Sequence, residues 1–208
     1  MRHVVQVNCR AGAVARVVVG VCVAVVAGTA LMVTTEARQG GGQGRGRGPA
    51  APACTTVACD VQGDWDRNRG SITGIANAMP EDKWTFKSTP AQRSYGEQVM
   101  HIATTDILLL GTVGAKTPAP AINAKATSKA DVMAALQQSM DYGAAVVKEF
   151  DDAGLSERIK SMPFLGPTAS RLRVIYFSIS HSQDIYGQMA VYLRLNGLVP
   201  PASNRGGV

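Results

Sequence analysis

No stretch of this 208-residue chain constrains its fold more than 166–201, GPTASRLRVIYFSISHSQDIYGQMAVYLRLNGLVPP, which reads as one long helix buried on two sides. One stripe runs Leu172, Ile175, Ile179, Tyr186, Met189 and Leu193. A second runs Val174, Ser178, His181, Ile185, Gln188, Tyr192 and Leu195. Steps of three and four keep side chains on one helix face. A helix that is apolar on two sides is covered by several neighbours. Pro167 suits a first turn, and Asn196-Gly197 followed by Pro200-Pro201 makes a stop. His181 and Gln188 are polar groups in an apolar run, and buried polar groups need partners. A group on another element is therefore expected to face His181.

Three further helices precede it. Over 59–79, Val61, Trp65, Asn68, Ile72, Ile75 and Met79 step by three and four, with Asp60, Asp64 and Asp66 near the start, where they favour the helix dipole. Gly70 and Gly74 weaken this helix and Pro80 follows it. Residues 81–93 form a connector whose Trp84 and Phe86 are expected to lie over the bundle end. Ser94 and Glu97 make a capping box, which opens a helix to about Gly114 with Val99, Ile102, Ile107, Leu110 and Val113 facing inward. The Pro/Ala-rich 116–127 is a loop. Ser128 and Asp131 then start a third helix carrying Val132, Leu136, Met140, Gly143, Val147 and Phe150, with Gly154 at its end. Residues 158–166 connect it to the last helix, and no run alternates long enough to predict a strand. The fold expected is all-α, a four-helix bundle with two longish connections.

The first residues read as an export signal. Arg2, Arg10 and Arg16 precede the uncharged 17–33, and Thr35-Glu36-Ala37 offers a cleavage site, so 1–37 is expected to be a signal peptide. An uncleaved membrane anchor through 17–33 is the competing reading, and it is the one route to a membrane partner. Removal of 1–37 takes three of the 21 Lys+Arg and one of the 15 Asp+Glu, leaving 18 against 14, a net charge of +4. That mild balance does not call for nucleic acid. The Gly/Pro/Arg-rich segment reads as a soluble linker over 38–57, with the bundle over 58–201 and a polar tail over 202–208. After cleavage only Cys54 and Cys59 are left, and in an exported chain such a pair is most simply a disulfide.

Chemistry has few carriers. His3 leaves with the signal peptide, so His101 and His181, on separate helices, are the candidate metal ligands. Zinc takes three protein ligands in catalytic sites and four in structural ones, so two histidines fall short. Glu97 lies four residues before His101 and could orient it, or serve only the capping box. Asp106 and Asp184 are expected to be solvated or to balance Arg171 and Arg173. Tyr176, Tyr186 and Tyr192 read as core residues with polar tips at a bundle end. No nucleophile elbow or phosphate-binding glycine loop occurs.

The segments Met79-Pro-Glu-Asp-Lys-Trp84, Tyr95-Gly-Glu-Gln-x-x-His101-Ile-Ala103 and His181-Ser-Gln-Asp-Ile-Tyr-Gly-Gln188, with Tyr192 to Pro201 behind them, resemble the DinB-like superfamily, which includes bacterial thiol-dependent S-transferases. The resemblance covers about 60–201. It implies an up-down-down-up four-helix bundle, a divalent metal such as zinc or nickel, and homodimers. It also implies three histidine ligands. His101 matches the first and His181 the second, but the third position, four residues on, holds Ile185. Isoleucine has no lone pair, and Gln188 on the same face is a weak neutral substitute. Two functions follow as alternatives. One is an exported bundle with an incomplete metal site that binds a small molecule or a partner. The other is a divalent-metal-dependent S-transferase or hydrolase.

Overall fold

The computed structural model describes residues 53–204. The expectations for the signal peptide, for 38–52 and for the last four residues lie outside the described residues. Four long helices make the bundle: α1 (Val57–Ala78), α2 (Tyr95–Leu110), α3 (Lys129–Val147) and α5 (Arg171–Leu195), with the short α4 (Asp152–Ser156) between the last two. Each long helix starts on a hydroxyl cap, which satisfies an amide that has no intrahelical partner. Thr56, Ser94, Ser128 and Ser170 accept from Cys59, Glu97, Asp131 and Arg173 respectively.

Helix α1 packs on α3 and α5, and α2 packs on the same two, so consecutive helices α1 and α2 lie across the bundle diagonal. Side-chain bonds give the directions. Tyr95 at the start of α2 donates to Ile75 O near the end of α1. Lys129 at the start of α3 donates to Met79 O. Tyr176 in α5 donates to Asp64 in α1, each in the first half of its helix. Helices α2 and α3 therefore run parallel, and α1 and α5 run parallel the other way, an up-down-down-up four-helix bundle. Parallel neighbours cannot be joined by a tight turn, which is why 111–128 returns the length of the bundle.

The core follows the periodicity most closely in α1. Val61, Trp65, Asn68, Ile72, Ile75 and Met79 are all buried. Trp65 fills the centre and donates its indole N–H to Met140 O at 3.1 Å. Gly143 on α3 makes room for it, since a Cβ there would lie 1.8 Å from Trp65 Cζ2. At the bundle end Trp84 packs on Tyr95 at 5.7 Å between ring centres, and Phe86 meets Tyr192 edge-on at 6.0 Å.

Several expectations need correction. The last helix does not begin at Pro167. Thr168–Ser170 is a strand, β2, paired antiparallel with β1 (Arg158–Lys160), and α5 starts at Arg171. Strands of three residues are too short to show an alternating pattern. Helix α3 stops at Val147, and Gly154 lies inside α4 instead of ending α3. Leu195, placed on the inner stripe, is 60% exposed, because α5 outruns its neighbours there. Of the three tyrosines only Tyr192 is fully buried, whereas Tyr176 is exposed and bonded to Asp64.

Two glycines of similar helical context should respond oppositely to alanine. Gly143→Ala forces Trp65 to move and should lower the unfolding free energy by about 3 kcal/mol or more in urea titration. Gly70, in α1, has nothing within 4 Å of the place a Cβ would take, so Gly70→Ala should raise stability by up to about 1 kcal/mol.

Candidate functional site

The α2–α5 interface carries a column of polar groups. Gln98 Nε2 donates to Gln188 Oε1 at 2.9 Å. One turn along, His101 Nε2 and His181 Nε2 are 3.3 Å apart with their rings edge-on. Further along, Asp106 receives the Ser178 hydroxyl at 2.5 Å and the Ser182 hydroxyl at 3.2 Å. The partner expected for His181 is thus His101.

Both imidazoles are held neutral. Burial, then the Arg93 guanidinium, then His181 push His101 down to about 4. Burial lowers His181, with Arg93 adding to the effect and Asp184 opposing it. Two neutral imidazoles at this distance share one proton between Nε2 atoms. Thr105 Oγ1 stands 3.3 Å from His101 Nδ1, so α2 itself orients that ring. His181 Nδ1 is buried and has no partner.

The other sequence candidates go elsewhere. Glu97 does not reach His101. It closes the capping box, accepting from Ser94 N at 2.6 Å, with Lys87 3.4 Å away. Gln188 is spent on Gln98 and on Asp184, to which it donates at 2.9 Å. Ile185, at the expected third-ligand position, is 2% exposed and belongs to the hydrophobic core. Cys54 and Cys59 are bridged just before and inside the first turn of α1.

Asp106 corrects a further expectation. It is neither solvated nor paired with Arg171 or Arg173, but fully buried, with burial raising its carboxyl to about 7 against the bonds from Ser178 and Ser182. Arg171 pairs with Glu157 and donates to Val113 O. The signal is present in and just after α2: Val99, Ile102, Asp106, Leu110 and Val113 step by three and four, which puts an acid in the middle of the inward stripe.

Beside His101 opens a cleft of about 920 Å³. It lies between the connector carrying Trp84 and Arg93, the first turns of α2, and residues 124–127 before α3. His101 lines it, and His181 lies behind His101.

These features define a helical bundle with a two-histidine centre at the edge of a cleft. The family model for the DinB superfamily matches residues 64–189, and the chain belongs to that superfamily. Among solved structures, a DinB-like protein from Bacillus cereus is 20% identical, with a TM-score of 0.58 over 74% of this chain and 97% of that one. A DinB-like protein from Bacillus subtilis is 16% identical, with a TM-score of 0.55 over 70% and 99%. YfiT from Bacillus subtilis, described as a probable metal-dependent hydrolase with an unusual four-helix bundle topology, is 11% identical, with a TM-score of 0.54 over 73% and 94%. No curated protein matches the sequence.

The donor set does not fit a metal held by three protein ligands. Among the described residues no group of three His, Cys, Asp or Glu side chains converges. Ile185 offers hydrocarbon where a third ligand would stand, and Gln188 and Asp106 have other partners.

Asp106 gives a testable pH dependence. Its folded carboxyl titrates near 7 and its unfolded value is 3.8, so the fold holds a proton that the unfolded chain releases. The stability this contributes is fully present below about pH 4 and is lost as pH rises to about 7. Asp106→Asn removes the titration. Relative to the parent, the variant should gain stability between pH 5 and 8, by up to a few kcal/mol on the scale of about 1.36 kcal/mol per pH unit. Thermal melts across that range check it.

Proposed function

We propose that the chain is an exported, non-catalytic binding bundle that takes a small molecule in the cleft beside His101. One observation carries this reading: the family's metal position is reduced to two imidazoles, and buried Ile185 occupies the third place. Two neutral imidazoles that bond each other satisfy both Nε2 atoms without an ion, and only His181 Nδ1 is left without a partner. The cleft lies within the usual range for small-molecule sites and combines apolar walls with a few charged groups.

The alternative is a divalent-metal-dependent hydrolase or S-transferase. The 3.3 Å between the Nε2 atoms favours it, because two nitrogens on one tetrahedral zinc, each ~2.0–2.1 Å from the metal, stand about 3.3 Å apart. Metal analysis of the full chain, purified without an affinity tag, separates the two. The binding reading expects well under one zinc or nickel per chain. Stoichiometric metal that disappears in His181→Ala would sink it. Ile185→His should raise zinc affinity by at least about tenfold, since it restores a third imidazole on the His181 face. An unchanged affinity would mean that position 185 does not face the pair.

Export rests on the basic, apolar start of the chain and is supported by the Cys54–Cys59 bridge, which suits an oxidising compartment. Mass spectrometry of the chain recovered from outside the cytoplasm should give a protein that begins at Arg38. A mass that retains 1–37 would favour the uncleaved anchor.

A further inference from the structure

The charges and donors around the cleft say what kind of molecule it takes. Its lining includes three cations, Lys87, Arg93 and Lys125, and one carboxylate, Glu97. Glu97 is committed to Lys87 and to the capping box. Arg93 and Lys125 have no carboxylate partner among the described residues. The first turn of the sixteen-residue α2, with Ser94 and Glu97, also faces the cleft. Its amides are already bonded to Phe86 O, Trp84 O and Ser94 Oγ, so it contributes the positive end of its dipole and no spare hydrogen bonds.

A second observation is independent of these charges. Trp84 lines the cleft, is 3% exposed, and its Nε1–H has no acceptor. The indole nitrogen lies against Gly96, where a Cβ would come within 2.3 Å of it. A buried donor without an acceptor is rare in a folded protein, and this one is closed off against the first turn of α2. The rest of the Trp84 ring and Met100 give the same cleft an apolar wall.

We propose that the cleft binds an organic carboxylate. Its carboxylate lies at Arg93, with Lys125 lining the same cleft, and its apolar body rests on Trp84 and Met100. The planar guanidinium fork suits a carboxylate bidentately. The apolar wall sets this ligand apart from inorganic phosphate. The inference deepens the binding reading above and rests on it, because in that reading His101 borders the cleft with no ion between it and His181.

The test uses the full chain, stripped with EDTA, and 1-naphthoate and octanoate as probes, with 1-naphthamide and inorganic phosphate as controls. Binding is followed by calorimetry and by the two indole N–H resonances. The expected result is that both carboxylates bind without metal and shift the Trp84 signal. The Trp65 signal stays in place, since that N–H is bonded to Met140 O. Arg93→Gln should weaken 1-naphthoate by about tenfold or more, as the loss of a charge-assisted bond implies. The fold survives that change, because Tyr192 bonds the Arg93 carbonyl and not its side chain. If neither carboxylate binds with or without added zinc, the carboxylate proposal is wrong while the metal-free reading stands. If binding needs zinc and is lost in His181→Ala, both fail. Phosphate or 1-naphthamide binding as tightly as 1-naphthoate would overturn the ligand class.

Discussion

The structure depends on the polar column between α2 and α5. Arg93 O with Tyr192, Gln98 with Gln188, His101 with His181, and Asp106 with Ser178 and Ser182 all pair across one interface. Residue numbers rise along α2 as they fall along α5, so these contacts describe a single antiparallel register. Sliding the helices by one turn would break all of these pairs and leave the buried members, Gln98, Asp106, Ser178 and Ser182, without partners, at a cost of about 1–3 kcal/mol for each group. Apolar packing alone tolerates such slips far better, because one leucine serves nearly as well as the next. The column therefore selects one arrangement of the bundle, and the histidine pair and the cleft take their positions from it.

Ile185 has to be understood within that column. Ser178, Ser182 and Gln188 surround it in sequence at steps of three to seven, and each is polar with a partner. A histidine at 185 with no metal would add one more buried polar group to satisfy. Isoleucine instead buries hydrocarbon, on the order of 1.5–3 kcal/mol for the side chain. The same residue that offers no ligand thus adds apolar burial to the bundle, and the two effects need no separate explanation.

Much of this is legible in the sequence because helical spacing reports which side chains share a face. The α1 stripe, the Ser94–Glu97 capping box and the presence of His101 and His181 on two separate helices need no coordinates. What spacing cannot report is which neighbour covers a face. Asp106 escapes a search for apolar periodicity because that search steps to Ile107, and only the serines of another helix explain its burial. Gln188 and Ile185 share the His181 stripe, yet only packing shows that one turns to Gln98 and the other into the core. Arg93 lies on a connector with no periodicity at all, and tertiary folding alone brings it near the imidazoles. The three-residue strands escape for a simpler reason: two alternations carry no statistical weight.

Arg93 also bears on the charge that the histidine pair meets. Its guanidinium lowers the proton affinity of both imidazoles, and the sign of that interaction holds for any positive charge placed between them. A dication would meet about twice the repulsion of a proton at the same point, since Coulomb energy scales with charge. A metal site normally offsets such a term with a third ligand or a nearby carboxylate. Here the third position is hydrocarbon, Glu97 in the first turn of α2 is held against Lys87, and Asp184, bonded by Gln188, acts on His181 alone. Asp184 opposes Arg93 at His181, so the positive influence of the guanidinium is least compensated on the His101 side. An incoming carboxylate gains from the same guanidinium that an incoming zinc ion would have to overcome.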